Sequence, residues 1–406
     1  CYGAGEIQEE YSYNKEINML FGIMVIDDTI KNNFAYDEQL SRIDFVKLSV
    51  NALGLGQTAE ETQEKSAFLD IEDDYWGNSY LNYALNLGLI SKNSSNFFRR
   101  DDGIMPYEAV KILVNALGYN TVAAQSGGYP LGYYHVGMSI GLLKGISLDN
   151  SKPLNWGDGL KLFYNAVRID QMVLDLSASQ GKYSIVKSKT LLNDRLEQYN
   201  MFYQIGIVEG DYYSGSLDYT QMPQNSLEID GKLYLSGSFK SADLLGKKVE
   251  FFYRQEDSDP YGEITYLAAL EDSNTTLTIT ADFLDSATLR NIKYYTDNTK
   301  SKTKNASLNE NLLVIYNGGI LNQFSVDDFM PYNGEVTLID NNNDRIYEAI
   351  SINSYSYYKV NAISNISSSV ILKNADNNTV LSVELQTNNK EYHHTLFNQD
   401  DAAVKL

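Results

Sequence analysis

The sequence predicts an α+β, multidomain chain. A helical first part is built from three repeats, and mostly antiparallel β modules follow. Two observations carry this reading. A helical apolar pattern recurs at fixed offsets within the first 170 residues, and near residue 202 the apolar period changes from helical to alternating. The length, 406 residues, is enough for several domains of ordinary size.

The repeats are QLSRIDFVKLSVNALG (Gln39–Gly54), GIMPYEAVKILVNALG (Gly103–Gly118) and PLNWGDGLKLFYNAV (Pro153–Val167). Offsets of 64 and 114 residues place Asn51 on Asn115 and on Asn165. Acids coincide at Asp44, Glu108 and Asp158, and lysines at Lys47, Lys111 and Lys161. Apolar residues follow i, i+3, i+4, i+7, i+8, as in Ala109, Ile112, Leu113, Ala116 and Leu117. That spacing makes one face of an amphipathic helix. Ser41 with Asp44, and Asn155 with Asp158, read as N-terminal capping pairs, while Pro106 suits a first helical residue. A shorter helix precedes each of these, in INMLFGIMV, LNYALNLGLIS and SIGLLKGIS. Gly22, Gly88 and Gly145 are expected to stop these shorter helices. The units then span about 12–58, 66–122 and 127–169. One helix–loop–helix cannot bury its own apolar face, so the three are expected to pack together in an all-α part covering 1–170.

These units resemble S-layer homology repeats, the wall-anchoring modules of bacterial surface proteins. Phe68-Leu69-Asp70, Tyr75-Trp76, Tyr80, Ala84 and Gly88-Leu89 are similar to the family's opening pattern F-x-D…W…A…GI. Leu40-Ser41-Arg42-Ile43-Asp44-Phe45 is similar to its I-T-R-A-E-F ending. The resemblance implies a pseudo-threefold bundle whose grooves grip a secondary cell-wall polysaccharide, often one with acidic pyruvyl groups. It implies an extracellular place at the cell wall of a Gram-positive-type bacterium. It also implies that the motif arginine pairs with the glycan carboxylate, for which a guanidinium fork is suited. Arg42 keeps that arginine, whereas Pro106 and Trp156 stand at its equivalents. The groove implied is therefore one combining Arg42, Asp70 and Trp76. Read from the residues alone, Arg42 is an exposed first-turn residue, the three acids cap helices, and Trp76 is buried between units.

Residues 171–201 read as a helical connector, with VKSKTLLNDRLEQY its better stretch. One β module is expected at 202–275 and a second at 276–406, the latter with a helical insert at Asp282–Lys293. Asp230-Gly231, Asn317-Gly318 and Asn333-Gly334 read as hairpin turns. LLGKKVEFFYR…GEITYL and GEVTLIDNNNDRIYEAISINSYSYYKV resemble β segments that follow such repeats in clostridial surface proteins. That likeness implies a surface protein and no particular activity.

Composition excludes several classes of function. With 32 Lys plus Arg against 53 Asp plus Glu, the net charge is −21, which argues against tracking nucleic-acid phosphates or gripping anionic lipid. One cysteine excludes an intrachain disulfide and a cysteine-ligated metal. No apolar run is long enough to span a membrane. Gly137-Met138-Ser139-Ile140-Gly141 matches the nucleophile elbow but falls on a helix instead of a strand–turn–helix. Gly54-Leu55-Gly56-Gln57-Thr58-Ala59 matches a dinucleotide pattern but follows a helix. Asp340-Asn341-Asn342-Asn343-Asp344 begins like a calcium loop, yet Arg345 and Ser351 stand where glycine and glutamate are needed. A hairpin turn is expected there, with calcium as the weaker alternative. His393 and His394 diverge on a strand, so no metal pair is expected. The expectation is a non-enzymatic, cofactor-free structural protein, held to wall polysaccharide and contributing to a surface layer through self-assembly or other surface proteins. The alternative is a wall-anchored glycan-binding protein or enzyme whose active part lies in the β half or in further sequence. Tyr355, Tyr357 and Tyr358 are its candidate sugar face.

Overall fold

A computed structural model describes residues 14–355, apart from 34, 63, 176–181, 213–222, 224, 238, 240–242 and 257–258. It also describes strand backbone at 358–364, 369–374, 380–384, 396–397 and 403–404. The chain is α+β. It divides into two compact units, one made of residues up to 203 with 251–256 and 265–267, the other of 204–250, 257–264 and the residues from 268 onward.

The first unit begins with α1 (Asn14–Gly22), α2 (Asp28–Asn33), α3 (Arg42–Ala52), α4 (Gly56–Glu61) and α5 (Asn78–Asn86). There follow α6 (Pro106–Ala116), α7 (Asn120–Gln125), α8 (Leu131–Ser139) and α9 (Trp156–Ala166). Helices α3, α6 and α9 each have 11 residues and start at the 64- and 114-residue offsets of the repeat. The side chains of Ser41 and Asn155 cap α3 and α9 by accepting the amides of Asp44 and Asp158. Met105 has no oxygen to offer at the same place in α6, and Pro106 sets the first turn instead.

The chain two residues before each of these helices meets its equivalents in a closed ring. Leu40 N–H donates to Leu154 O (2.9 Å), Leu154 N–H to Ile104 O (2.8 Å), and Ile104 N–H to Leu40 O (3.0 Å). All three side chains are buried. Single bridges between Gln39 and Asn155, and between Ser41 and Gly103, flank the ring. A Cβ at Gly159 would overlap the end of the Leu40 side chain, which would have to move aside to admit it. The Phe45 and Phe163 rings meet 4.9 Å apart, joining α3 to α9.

The equivalent asparagines tie each long helix to the turn that ends its shorter partner. Asn51 donates to Val25 O, Asn115 to Gly88 O, and Asn165 to Leu142 O and Lys144 O. These turns correct two of the expected helix stops. Gly88 does take the left-handed position (φ 70°), but Gly141 (φ 85°) ends α8 where Gly145 was expected. In the first unit Met24 (φ 58°) takes it, and Gly22 is still helical. Gly22 has a different reason to be small: a Cβ there would stand 2.9 Å from Thr265 O.

The connector is not helical throughout, as the sequence suggested. A hairpin of β1 (Met172–Asp175) and β2 (Lys182–Ile185) precedes α10 (Leu191–Gln198). Helix α10 is fastened by Arg195, which is buried and donates to Ile23 O (3.1 Å), Met24 O (3.3 Å) and Tyr199 Oη (2.9 Å). It thus satisfies carbonyls that the end of α1 leaves without helical partners.

In the β half, β3 (Met201–Asp211), β4 (Ser226–Ile229), β5 (Lys232–Leu235), β6 (Lys248–Arg254) and β7 (Gly262–Ala269) close a barrel in the order β3-β4-β5-β7-β6. A seven-stranded mixed sheet follows. It contains β8 (Thr275–Thr280), β9 (Leu284–Thr288), β10 (Asn291–Tyr295), β11 (Thr303–Tyr316), β12 (Gly319–Ile320), β13 (Gly334–Asp340) and β14 (Ile346–Ser354). The order is β8-β13-β14-β11-β10-β9, with β12 on β11 and with β11 parallel to β14. Ile292, Phe329, Val336, Leu338, Ile350 and Ile352 form its core. Backbone of β15 (Tyr358–Ser364), β16 (Ser369–Asn374) and β17 (Val380–Glu384) makes a three-stranded antiparallel sheet, and β18 (Leu396–Phe397) pairs with β19 (Ala403–Val404). The expected helical insert is absent: Ala281–Phe283 makes one 3-10 turn, and β9 and β10 form a hairpin that buries Ile292. Asp230-Gly231 and Asn317-Gly318 are hairpin turns with positive φ at both residues. Asn333-Gly334 instead leads into β13, where a Cβ on Gly334 would overlap Asn353 O.

The ring gives a stability prediction. Leu40→Ala opens a cavity where three units meet and is expected to cost about 3 kcal/mol. Leu131→Ala, at a leucine 66% exposed, is expected to cost less than about 0.5 kcal/mol. Urea unfolding followed by far-UV circular dichroism reads both, and equal costs would refute the assignment of the core.

Candidate functional site

Arg42 opens α3, so its side chain leaves the helix near the preceding strand-like turn. Its Nε donates to Phe98 O (2.9 Å), and its Nη1 donates to Glu108 Oε2 (2.6 Å). The guanidinium also lies 4.9 Å from the centre of the Phe98 ring. Glu108 stands in the first turn of α6, where a carboxylate suits the positive end of the helix dipole. The motif arginine is therefore engaged by an acid of the neighbouring repeat.

Asp70 holds the other side of the same loop. Its Oδ1 accepts Phe98 N–H (2.8 Å) and its Oδ2 accepts Arg99 N–H (2.7 Å). Arg99 takes positive φ (58°) at this turn. Partial burial alone would raise the Asp70 carboxyl, but the two amide hydrogen bonds outweigh it and hold the group below its ordinary value. Arg42 and Asp70 thus grip one dipeptide, Phe98-Arg99, from two sides.

Trp76 is 54% exposed, against the reading that buries it between units. Its ring lies 5.3 Å from Tyr75 and edge-on to Tyr80 at 6.0 Å. Lys47, one and a half turns beyond Arg42 on α3, places Nζ 5.7 Å from the Trp76 ring and 3.0 Å from Asp27. Arg100 lies over Tyr75 at 4.1 Å and pairs with Glu72 and Asp101. The structure brings Arg42 and Asp70 together and sets Trp76 beside Lys47. Glu108, Phe98 and Lys47 were not among the residues singled out for this site. The coincidence of Glu108 with Asp44 in the repeat was the available sign that an acid stands at each helix start.

The same positions differ in the other repeats. Pro106 is buried, and Trp156 is half-buried. Lys111 lies 5.3 Å from the ring of Tyr129, itself 50% exposed and edge-on to Tyr107 and Tyr133. Lys161 instead makes a 2.5 Å ion pair with the buried Glu16.

Elsewhere, Ser139 ends α8 and its Oγ donates to Val136 O, which is not a nucleophile's setting. Gly56 opens α4 directly after α3. Asp340, Asp344 and Glu348 bring carboxylate oxygens within 4.8 Å of one another. Those oxygens cap the β13–β14 turn: Asp340 accepts the amides of Asn342, Asn343 and Arg345, and Glu348 accepts that of Asn341. Tyr355 is 49% exposed, Tyr358 is described as backbone, and Tyr357, His393 and His394 lie outside the described residues.

No family model matches the chain. The sequence is similar to a protein named cell surface protein from Thermoanaerobacter kivui, 22% identical over 341 residues, covering 83% of this chain and 40% of that one. It is similar to the middle cell wall protein of Brevibacillus brevis, 24% identical over 183 residues, covering 45% and 17%. It is similar also to a surface layer protein of Brevibacillus choshinensis, 25% identical over 158 residues, covering 39% and 14%. The chain spans at most 40% of the length of these relatives. Its place is extracellular, at the cell wall. No described helix is long and apolar enough to cross a membrane.

The Asp70 clasp predicts a pH dependence. A carboxyl lowered in the folded state adds stability that is present above its unfolded value, near 3.8, and that fades as pH falls through the lower folded value. Asp70→Asn removes this contribution. Thermal melts from pH 2 to pH 6 are expected to show wild type above the variant at about pH 5, the gap closing toward pH 2. A gap that widens on acidification would contradict the clasp.

Proposed function

We propose that the chain is a structural surface protein that is held to a secondary cell-wall polysaccharide by its three helical repeats, and that it contributes to a surface assembly. The closed ring at Leu40, Ile104 and Leu154 is the observation that supports this reading, because it joins three equivalent units around one point. Equivalent units around an axis create equivalent clefts, and a polymer of repeating sugars suits such an array. The likeness to cell-surface, cell-wall and surface-layer proteins supports it as well.

In this reading the groove between the first two repeats is walled by Arg42 and Asp70, which fix the Phe98-Arg99 loop. Trp76 is its open contact surface. No reaction is proposed. The carboxylates and hydroxyls described above are engaged in caps, turns and ion pairs, and none is set beside a base in the manner of a nucleophile.

Co-sedimentation with isolated cell walls tests this directly. The full chain is expected to sediment with walls that carry their polysaccharide and to stay in solution with walls stripped of it. Equal binding to both, or to neither, would overturn the anchoring role.

A further inference from the structure

The resemblance implies an acidic glycan substituent held by the motif arginine, and the geometry points elsewhere. Four cations around Arg42 and Trp76 already have a carboxylate among the described residues. Arg42 pairs with Glu108 (2.6 Å), Lys47 with Asp27 (3.0 Å), Arg99 with Asp102 (3.6 Å), and Arg100 with Glu72 (2.7 Å) and Asp101 (3.3 Å). An incoming carboxylate would meet Arg42 with a full negative charge already on Nη1. It would gain the attraction of one guanidinium and pay the repulsion of a neighbouring acid at similar range. The net charge of −21 adds to that repulsion.

What two of the repeats keep in common is a lysine laid against an open aromatic ring. Lys47 and Lys111 are equivalent by the 64-residue offset, and they face Trp76 and Tyr129, both at least half exposed. The arginine is not kept, since Pro106 replaces it. The third lysine, Lys161, is closed off by the buried Glu16. An exposed aromatic face is negative at its centre, and the axial C–H groups of a pyranose are weakly positive, so the two stack without any charge on the sugar. An adjacent ammonium offers donors to hydroxyl or N-acetyl oxygens.

We propose that the chain reads an uncharged stretch of wall glycan through two repeated platforms, Trp76 with Lys47 and Tyr129 with Lys111. Arg42 acts as a positioning residue of the Phe98-Arg99 loop. This rests on the anchoring reading above and names the ligand class for it, adding Tyr129 and Lys111 as a second contact.

The test uses the full chain and purified wall polysaccharide in two forms, native and with its carboxyl groups chemically reduced. Binding is measured by calorimetry. Carboxyl reduction is expected to change the dissociation constant less than about twofold, in wild type and in Arg42→Gln alike. Trp76→Ala is expected to weaken binding to both forms by about tenfold or more, and Tyr129→Leu by several-fold. Loss of binding on carboxyl reduction, with native glycan still bound, overturns the proposal and leaves anchoring intact; this arm needs no variant that has to fold. Undiminished binding by the folded double variant of Trp76 and Tyr129 also overturns it. If wild type binds neither form, the anchoring reading falls and this proposal falls with it.

Discussion

Three backbone hydrogen bonds, closed into a ring by Leu40, Ile104 and Leu154, are the constraint on which the helical unit depends. Each of these residues donates to one neighbour and accepts from the other, so no member is satisfied unless all three segments are present. The ring sits in buried surroundings, where an unpaired amide or carbonyl carries its full desolvation cost. Everything downstream inherits its geometry from that closure. The three 11-residue helices begin two residues later, at the same offsets, and their first-turn residues are thereby brought to the boundaries between repeats.

Arg42 illustrates the consequence. It is a first-turn residue of α3 and Glu108 is a first-turn residue of α6, and the ring brings these two starts together. The pair is only partly buried, so its worth lies in fixing the loop at Phe98 more than in stability. Asp70 completes the same loop with two amide hydrogen bonds. Trp76 and, one repeat on, Tyr129 remain exposed. In a protein of net charge −21, Arg42 and Lys47 are thus each already paired with an acid.

Much of the helical unit was legible because a repeat compares the sequence with itself. The offsets of 64 and 114 residues locate the starts and ends of α3, α6 and α9 without any knowledge of packing. Helix stops were less legible, since the left-handed position is defined by geometry and Met24 fills it when the surrounding turn supplies the hydrogen bonds. The segment DFLDSATLRNIK has good helix formers, but pairing of β10 with β11 and burial of Ile292 override that local preference. Arg42, Asp70 and Trp76 were picked out from motif positions as a proposed groove. The partner of Arg42 was not, because a contact between residues 66 apart is set by how repeats meet and leaves no local pattern.

Amide hydrogen exchange at the ring tests the central claim most directly. If the three segments form one closed unit, the amides of Leu40, Ile104 and Leu154 must open together. Native-state exchange is expected to give them opening free energies equal within about 1 kcal/mol, near the most protected in the helical unit. Independent opening, with one of the three exchanging a hundredfold or more faster than the others, would contradict the account.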